Sequence, residues 1–524
     1  MSNPRPVGPA RQSYDYIVVG GGTAGCVLAA RLSEDLTTRV LLLEAGAREP
    51  LAAMAVPAAW LSLIGSTADW GDSGAVNAFA GAPVATPRGR GLGGSSSINA
   101  LAFVRGHRSS YDAWTSEGAP GWGFDALLPH LRRCETAKGG DPTVRGTDGP
   151  LIVSVPPEPN LMIAAAVDAA VEVGHRRARD LSSGLEIGFG WSDFNVVDGV
   201  RQSAADAYLS PALRRENLEV ITDTLVRRVI VSDGRATGVE FTAAGTTATV
   251  DCVVEVVLTA GAIGSAQLLL VSGIGPGDHL RTVGVEPVVE LPGVGSNLHD
   301  HPLASVTYAA SRPIPSPTTN ASGEAMGFVR TSTDQDRPDL QFVFMGVPIP
   351  VPTLPTPEHG YTILFSATTP HSRGSVRLLS PDVEVLPEVD PRYLADERDV
   401  AAMCEGLRVA RRIGQADALA PWRSEEVNPG SHISDTDTAA LQDYLRLSLR
   451  CFFHYVGTCR MGRDELAVVD PQLRVHGIEG LRIADASVMP SIVSANTAAT
   501  VYGIAERAAD LIKGDRSQQP LRSP

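Results

Sequence analysis

The chain has 524 residues, 43% hydrophobic and 20% charged, with 44 basic against 59 acidic side chains and a formal charge of −15. That length calls for two or more folding units, and the acidic balance argues against phosphate-driven nucleic-acid binding and against adsorption to anionic membranes. The 52 glycines predict frequent tight turns and close backbone approaches.

Six cysteines stand singly, without a C-x-x-C pair, which argues against a disulfide scaffold or a structural zinc site. Residues 1–13 have no apolar core of a signal segment, and no run of about 18 uncharged apolar residues follows. No stable membrane insertion is expected, and a cytoplasmic location is the default reading.

The first predicted element is a strand at residues 14–19, running into Gly20-Gly21-Gly22-Thr23-Ala24-Gly25, a G-x-G-x-x-G turn. A helix through Leu32 and a strand at 39–43 follow, ending on Glu44. This is a β-α-β dinucleotide fingerprint. Gly20 permits the turn, Gly22 admits a pyrophosphate to the backbone, Gly25 lets the helix pack on the strand, and Glu44 can accept from a ribose diol. NAD and FAD share this fingerprint, so the dinucleotide stays open at this point.

A second glycine block, 88–99 (Arg-Gly-Arg-Gly-Leu-Gly-Gly-Ser-Ser-Ser-Ile-Asn), suits a loop pressed against a ring system and phosphates, where a Cβ would intrude. Strands are predicted at 218–221, 226–231, 237–242 and 249–259, the last re-entering the nucleotide fold before a helix through Leu270. Between about 300 and 451 the pattern changes to strands at 340–345 and 361–367 and a helix at 396–413, read as a substrate-covering domain. Proline-rich stretches at 313–317 and 348–357 are either an entrance rim or plain surface loops. The tail after Gly514 is expected to be disordered.

Near the C-terminus stand His454-Tyr455-Val456-Gly457-Thr458, then Ala484-Asp485-Ala486-Ser487, then Ser494-Ala495-Asn496-Thr497 opening a last helix. With the two glycine blocks and Gly261-Ala262-Ile263-Gly264-Ser265-Ala266-Gln267, these segments resemble the glucose-methanol-choline oxidoreductase family over nearly the whole chain. The look is closest to its choline dehydrogenase-like, pyridoxine oxidase-like and hydroxymethylfurfural oxidase-like branches.

The resemblance implies a discontinuous Rossmann-like FAD-binding domain (14–155, 200–300 and 455–514) and a β-sheet-based substrate domain (156–199 and 301–454), an α/β plus α+β architecture. It implies FAD-dependent oxidation of a primary alcohol, with His454 taking the hydroxyl proton, Asn496 holding the oxygen and the flavin accepting hydride. A neutral imidazole is the right base near physiological pH. FAD contacts are expected from Gly20, Gly22, Thr23, Ala24, Gly25, Glu44, Ala45, Arg90, Gly93, Gly94, Ser95, Asn99, Ala100, Val226, Ala260, Asp485, Ala486, Asn496 and Thr497. The helix opening at Thr497 should aim its positive end at the flavin.

Ile98 stands where the choline oxidase branch carries a flavin-linking histidine, so non-covalent FAD is expected. Phe452, Phe453 and Phe344 are expected to wall a pocket for an aromatic or hydrophobic alcohol. His299-Asp300-His301 lacks a third ligand and is read as a domain-junction segment, not a metal site. The electron acceptor, oxygen or a quinone-type carrier, stays open. Alternatives that keep the fold are a hydroxynitrile lyase or photodecarboxylase type of chemistry, or a flavin protein that only transfers electrons.

Overall fold

The computed structural model describes residues 12–315, 319–321 and 323–518. Its first sheet is seven-stranded. Strand Ser13–Val19 lies between Val40–Leu43 and Thr246–Leu258, all parallel, with Val18 opposite both Leu42 and Val257. Leu218–Ile221 adds beyond Val40–Leu43. These strands are almost wholly apolar because helices cover the sheet, so the alternation of a half-exposed strand is missing. Helix Thr23–Leu32 packs against the last helix, Ala498–Gln518; Val27 and Leu28 of the first and Ile504 and Ala508 of the second are buried.

Strand Thr246–Leu258 serves two neighbourhoods. Its first half pairs antiparallel with Arg235–Ala243 and is largely exposed, whereas Val256, Val257 and Leu258 are buried between Ser13–Val19 and Leu481–Ile483. The re-entry expected from sequence is therefore one continuous strand.

The second seven-stranded sheet is antiparallel. Its main path runs Arg423–Asn428, Pro302–Ala310, Gly360–Ala367, Leu340–Met345, Ala325–Val329, Gly188–Trp191. Helix Glu397–Gln415, capped by the Asp396 side chain on the Arg398 N–H, covers one face. Contact there is close: a Cβ on Gly406 would meet Phe365 at 2.8 Å and Leu340 at 3.3 Å. The opposite face, carrying Leu303, Met326, Val343, Met345 and Leu364, forms a separate apolar cluster that looks toward the nucleotide fold.

Two expectations change. The last helix continues to Gln518, because Asp515 accepts from the buried Arg482 at 2.8 Å and from Arg474 at 2.6 Å, so the tail does not begin at Gly514. Residues 1–11 and 519–524 lie outside the described residues, as does part of the first proline-rich stretch. The second stretch is no rim of the central cavity: Ile349 and Val351 are buried, and the Ile349 N–H donates to Thr362 Oγ1 at 2.9 Å. No helix among the described residues is long and apolar enough to cross a membrane.

Candidate active site

One cavity of about 320 Å³ runs from the first glycine turn to His454. At its nucleotide end, Gly25 has no room for a side chain: a Cβ would stand 1.9 Å from the Gly20 carbonyl oxygen. Gly22 faces open space, its nearest prospective contacts being 3.8 and 3.9 Å away. One glycine thus closes the helix onto the strand while the other leaves a surface free for a ligand. Glu44 joins the two glycine blocks, accepting N–H groups of Gly21 (2.7 Å), Gly46 (2.7 Å) and Gly91 (2.9 Å). Burial holds its carboxyl above the usual range. Gly94, at φ +53°, brings the second block to within 2.7 Å of Gly22 Cα as measured from a prospective Cβ.

Of the residues expected to hold FAD, Gly20, Gly22, Thr23, Ala24, Glu44, Ala45, Gly94, Ser95, Asn99, Ala100, Val226, Ala260, Asp485, Ala486, Asn496 and Thr497 line this cavity. Gly25 and Gly93 lie behind it. Arg90 is not itself in the lining: it is exposed and stacked on the cavity-lining Trp70, its guanidinium 5.1 Å from the ring centroid, with Nη2 3.5 Å from the Ala45 carbonyl, while Arg88 lines the wall. Asp485 accepts from Gly261 N–H (2.9 Å) and Ser487 N–H (2.8 Å), fastening the C-terminal loop to the start of helix Gly261–Val271. An extended cradle of glycines, one carboxylate near a ribose position and the N-terminal end of helix Ala498–Gln518 fit a flavin dinucleotide in shape and in charge.

At the other end His454 and Asn496, distant in sequence, are adjacent: Asn496 Nδ2 lies 3.2 Å from His454 Nε2. Behind His454 stands His301, Nδ1 to Nδ1 at 2.9 Å, and His301 Nε2 is 3.2 Å from the Thr368 carbonyl. A carbonyl only accepts, so His301 Nε2 carries the proton and a neutral His301 Nδ1 is an acceptor. His454 must then carry its proton on Nδ1, leaving the Nε2 lone pair toward the cavity. Asn496 Oδ1 in turn accepts from Gln341 Nε2 at 2.9 Å, which points the Asn496 amide N–H at His454. Every donor in the row Gln341, Asn496, His454, His301 points the same way, toward Thr368.

Burial and the neighbouring His301 hold the His454 imidazole well below its usual pKa, and burial lowers His301 to about 3 against the weaker pull of the Thr368 and Val493 carbonyls. Both rings are neutral at physiological pH. Asp300 supports the same segment from below. It accepts the N–H groups of His454 (2.6 Å) and Phe452 (3.1 Å) and the Tyr393 hydroxyl, bracketing Phe453, which has φ +65°. A left-handed phenylalanine costs energy that neighbouring contacts must offset. Here the two bracketing bonds do so, and Phe453 is turned to the mouth, 37% exposed and edge-on to Trp60.

Phe452 and Phe453 line the cavity, but Phe344 does not. Alternation along Leu340–Met345 sends Phe344 to the helix-covered face, stacked on Phe189 at 5.7 Å, while Val343 and Met345 face the cavity. Sequence reasoning missed Asp300, His301 and Gln341. The triplet at 299–301 was visible as a motif, but only tertiary contact reveals that two of its members, Asp300 and His301, bond to His454.

A family model described as GMC oxidoreductase matches residues 14–303 and its C-terminal counterpart matches 370–505. Human mitochondrial choline dehydrogenase is 39% identical, with 96% of this chain and 90% of that one covered. An oxygen-dependent choline dehydrogenase of Staphylococcus xylosus is 38% identical over 97% and 96%. Among solved structures, pyridoxine 4-oxidase from Mesorbium loti superposes with a TM-score of 0.92 at 36% identity, covering 97% of this chain and all of that one.

Proposed function

The chain belongs to the GMC oxidoreductase family of FAD-dependent enzymes acting on alcohols, and within it we propose oxidation of an uncharged, aromatic or hydrophobic primary alcohol to its aldehyde. FAD, when bound, supplies the hydride acceptor. His454 supplies the base. A substrate hydroxyl inserted between the two side chains donates to His454 Nε2 while its oxygen accepts from Asn496 Nδ2, so the amide steadies the alkoxide as the proton leaves. The resulting imidazolium keeps its Nδ1–H directed at the neutral His301 acceptor.

The observation that supports this reading is the single-direction row of donors, which puts an unprotonated His454 Nε2 at the cavity wall; its one lone pair takes the Asn496 amide N–H at 3.2 Å until a substrate hydroxyl displaces that bond. The substrate end is walled by Leu303, Met326, Val343, Met345, Phe452 and Phe453. The acids that line the cavity, Glu44 and Asp485, are both bound by backbone N–H groups of the nucleotide fold. The aliphatic walls and the lack of a free carboxylate at this end support a neutral alcohol, while the aromatic faces of Phe452 and Phe453 also suit a quaternary ammonium, which makes choline the decisive competitor in the test. Ile98, buried against Leu63 and Ala68, supports non-covalent FAD, and six buried, unpaired thiols support a reducing cytoplasmic setting. The two sheets support a division into a FAD-binding part (14–155, 200–300, 455–514) and a substrate part (156–199, 301–454).

The test is anaerobic mixing of the flavin-loaded protein with a panel of alcohols. Bleaching by benzyl-type or alkyl primary alcohols and none by choline is the expected result; bleaching by choline alone overturns the substrate reading. Reoxidation by air compared with a soluble quinone then assigns the acceptor.

A further inference from the structure

A second cleft, of about 420 Å³, opens on the far side of the segment that carries the catalytic row. Its floor is His299, Ser491 and Ile492, and its walls carry Arg337 and Arg373. Nothing in the alcohol chemistry uses it, yet it holds polar groups that lack partners. His299 is 1% exposed; its Nδ1 donates to the Asn297 carbonyl at 2.8 Å, and its Nε2 has no hydrogen-bond partner among the described residues. The Ser491 hydroxyl and Arg337 Nη1 are likewise buried and unpartnered. Arg373 spends Nη1 on the Pro370 and Ser372 carbonyls and forms no ion pair among the described residues, although Asp399 and Glu117 are near enough to act on its charge.

Orphaned buried polar atoms are uncommon, because each gives up its solvation without a partner in return, and several in one cleft call for a ligand or bound solvent that completes them. The demands are of two kinds. Arg337, Arg373 and Ser491 offer donors and two positive charges, while Asp336, exposed on the wall, is the one acidic lining residue. His299 Nε2 offers a lone pair, since its proton is on Nδ1. A bare anion satisfies the arginines but repels the lone pair; a neutral alcohol satisfies the lone pair but leaves the arginines.

We infer that this cleft is a binding site for a small oxyanion that also carries an O–H group, with the charge between Arg337 and Arg373 and the O–H donated to His299 Nε2. Inorganic phosphate, a phosphate monoester and a hydroxycarboxylate share that chemistry. The site has a route to the catalytic row. His299 and Val456 exchange backbone hydrogen bonds, both at 3.0 Å, two residues from His301 and His454 respectively. Ser491 is five residues before Asn496. Occupancy of the cleft therefore bears on the two chain segments that hold the base and its amide partner.

Phosphate and sulfate separate the idea from mere charge attraction, because near neutral pH phosphate keeps an O–H and sulfate has none. Calorimetric titration of the flavin-loaded protein at matched ionic strength should give saturable phosphate binding, at least about tenfold tighter than sulfate, and Arg337→Gln should weaken it by about tenfold or more. Parallel titrations with glycerol phosphate and lactate distinguish a phosphate source from a carboxylate one. Sulfate binding as tightly as phosphate, unchanged binding in Arg337→Gln, or no saturable binding of any of these anions overturns the inference. Arg337 lies on a partly exposed loop and does not line the cofactor cavity, and the phosphate-to-sulfate ratio is read on the unaltered protein, so a folding defect in the variant cannot decide the outcome.

Discussion

His301 Nδ1 accepts from His454 Nδ1 at 2.9 Å, and that one contact fixes which nitrogen of His454 faces the cavity with a lone pair. The tautomer is imposed from outside the pair: the Thr368 carbonyl orders His301, and His301 orders His454. His301 is thus a positioning residue. Replacing it with leucine removes the acceptor and lets His454 turn over to the unproductive tautomer. We expect His301→Leu to lower kcat by about tenfold or more with a smaller change in KM. Glutamine, whose carbonyl can accept from His454, should recover part of the loss. Equal damage from both variants, or an effect confined to KM, would reduce His301 to a packing residue.

The pH profile follows from the same burial. His454, as the proposed base, works only when neutral, so activity is present above its pKa and lost as pH falls through it. Burial and His301 place that pKa below the ordinary 6.5. The acid limb of kcat/KM should therefore lie below about pH 6.5, with a flat profile from there to neutrality. A limb centred at or above that value contradicts the assignment. His454→Ala should cost about 10²- to 10⁴-fold in the rate of anaerobic flavin bleaching while the purified protein stays yellow.

Much of this was readable before any coordinates, and for identifiable reasons. The first glycine turn with Glu44, the close packing demanded by the second glycine block, and the His454 and Asn496 motifs are local strings whose spacing encodes a backbone shape. Gly22, Glu44 and Asn496 all line the cavity. Phe344 failed for a different reason. A strand buried on both faces shows no polar alternation, so its sequence does not say which face is which, and only the helix Glu397–Gln415 settles that Val343 and Met345 look inward. Asp300 and His301 failed because their partners lie over 150 positions away, a separation that no periodicity reports.

The two glycines of the first turn should part company on substitution. Gly25→Ala drives a Cβ to 1.9 Å from the Gly20 carbonyl and should destabilise the fold by about 1–3 kcal/mol or more. Gly22→Ala meets no protein atom closer than 3.8 Å; it should leave the apoprotein's thermal midpoint nearly unchanged while weakening FAD retention. Loss of stability in both, with cofactor affinity intact in Gly22→Ala, would remove the pyrophosphate role of Gly22.

Asp300 makes a stability prediction with a definite sign. Burial raises its carboxyl from 3.8 to about 6, against the lowering effect of the Tyr393, His454 and Phe452 donors. A carboxyl whose folded pKa is raised contributes stability that is full below the unfolded value and lost as pH rises through the folded one. Asp300→Asn cannot accept from all three donors and should be less stable at the acid end of the range, by about 1–3 kcal/mol. Because only the wild type loses stability on ionising this group, the deficit should narrow between pH 3.8 and about 6. Urea unfolding of both proteins at the two ends of that range reads the difference; a deficit that widens as pH rises contradicts the burial account.

The alternation along Leu340–Met345 yields a paired test of the substrate pocket. Val343 faces the cavity with Met345 and Leu364, whereas Phe344 packs on Phe189 behind the sheet. Enlarging Val343 to phenylalanine fills space that a bulky alcohol needs, so KM should rise for aromatic alcohols relative to short alkyl ones, by about tenfold for a lost pocket contact. Phe344→Leu, although adjacent, should lower stability by about 1 kcal/mol or more through a cavity on the helix side and leave the ratio of kcat/KM values for the two alcohols unchanged. If instead Phe344→Leu alters that ratio and Val343→Phe does not, the register of this strand, and with it the assignment of the pocket wall, is wrong.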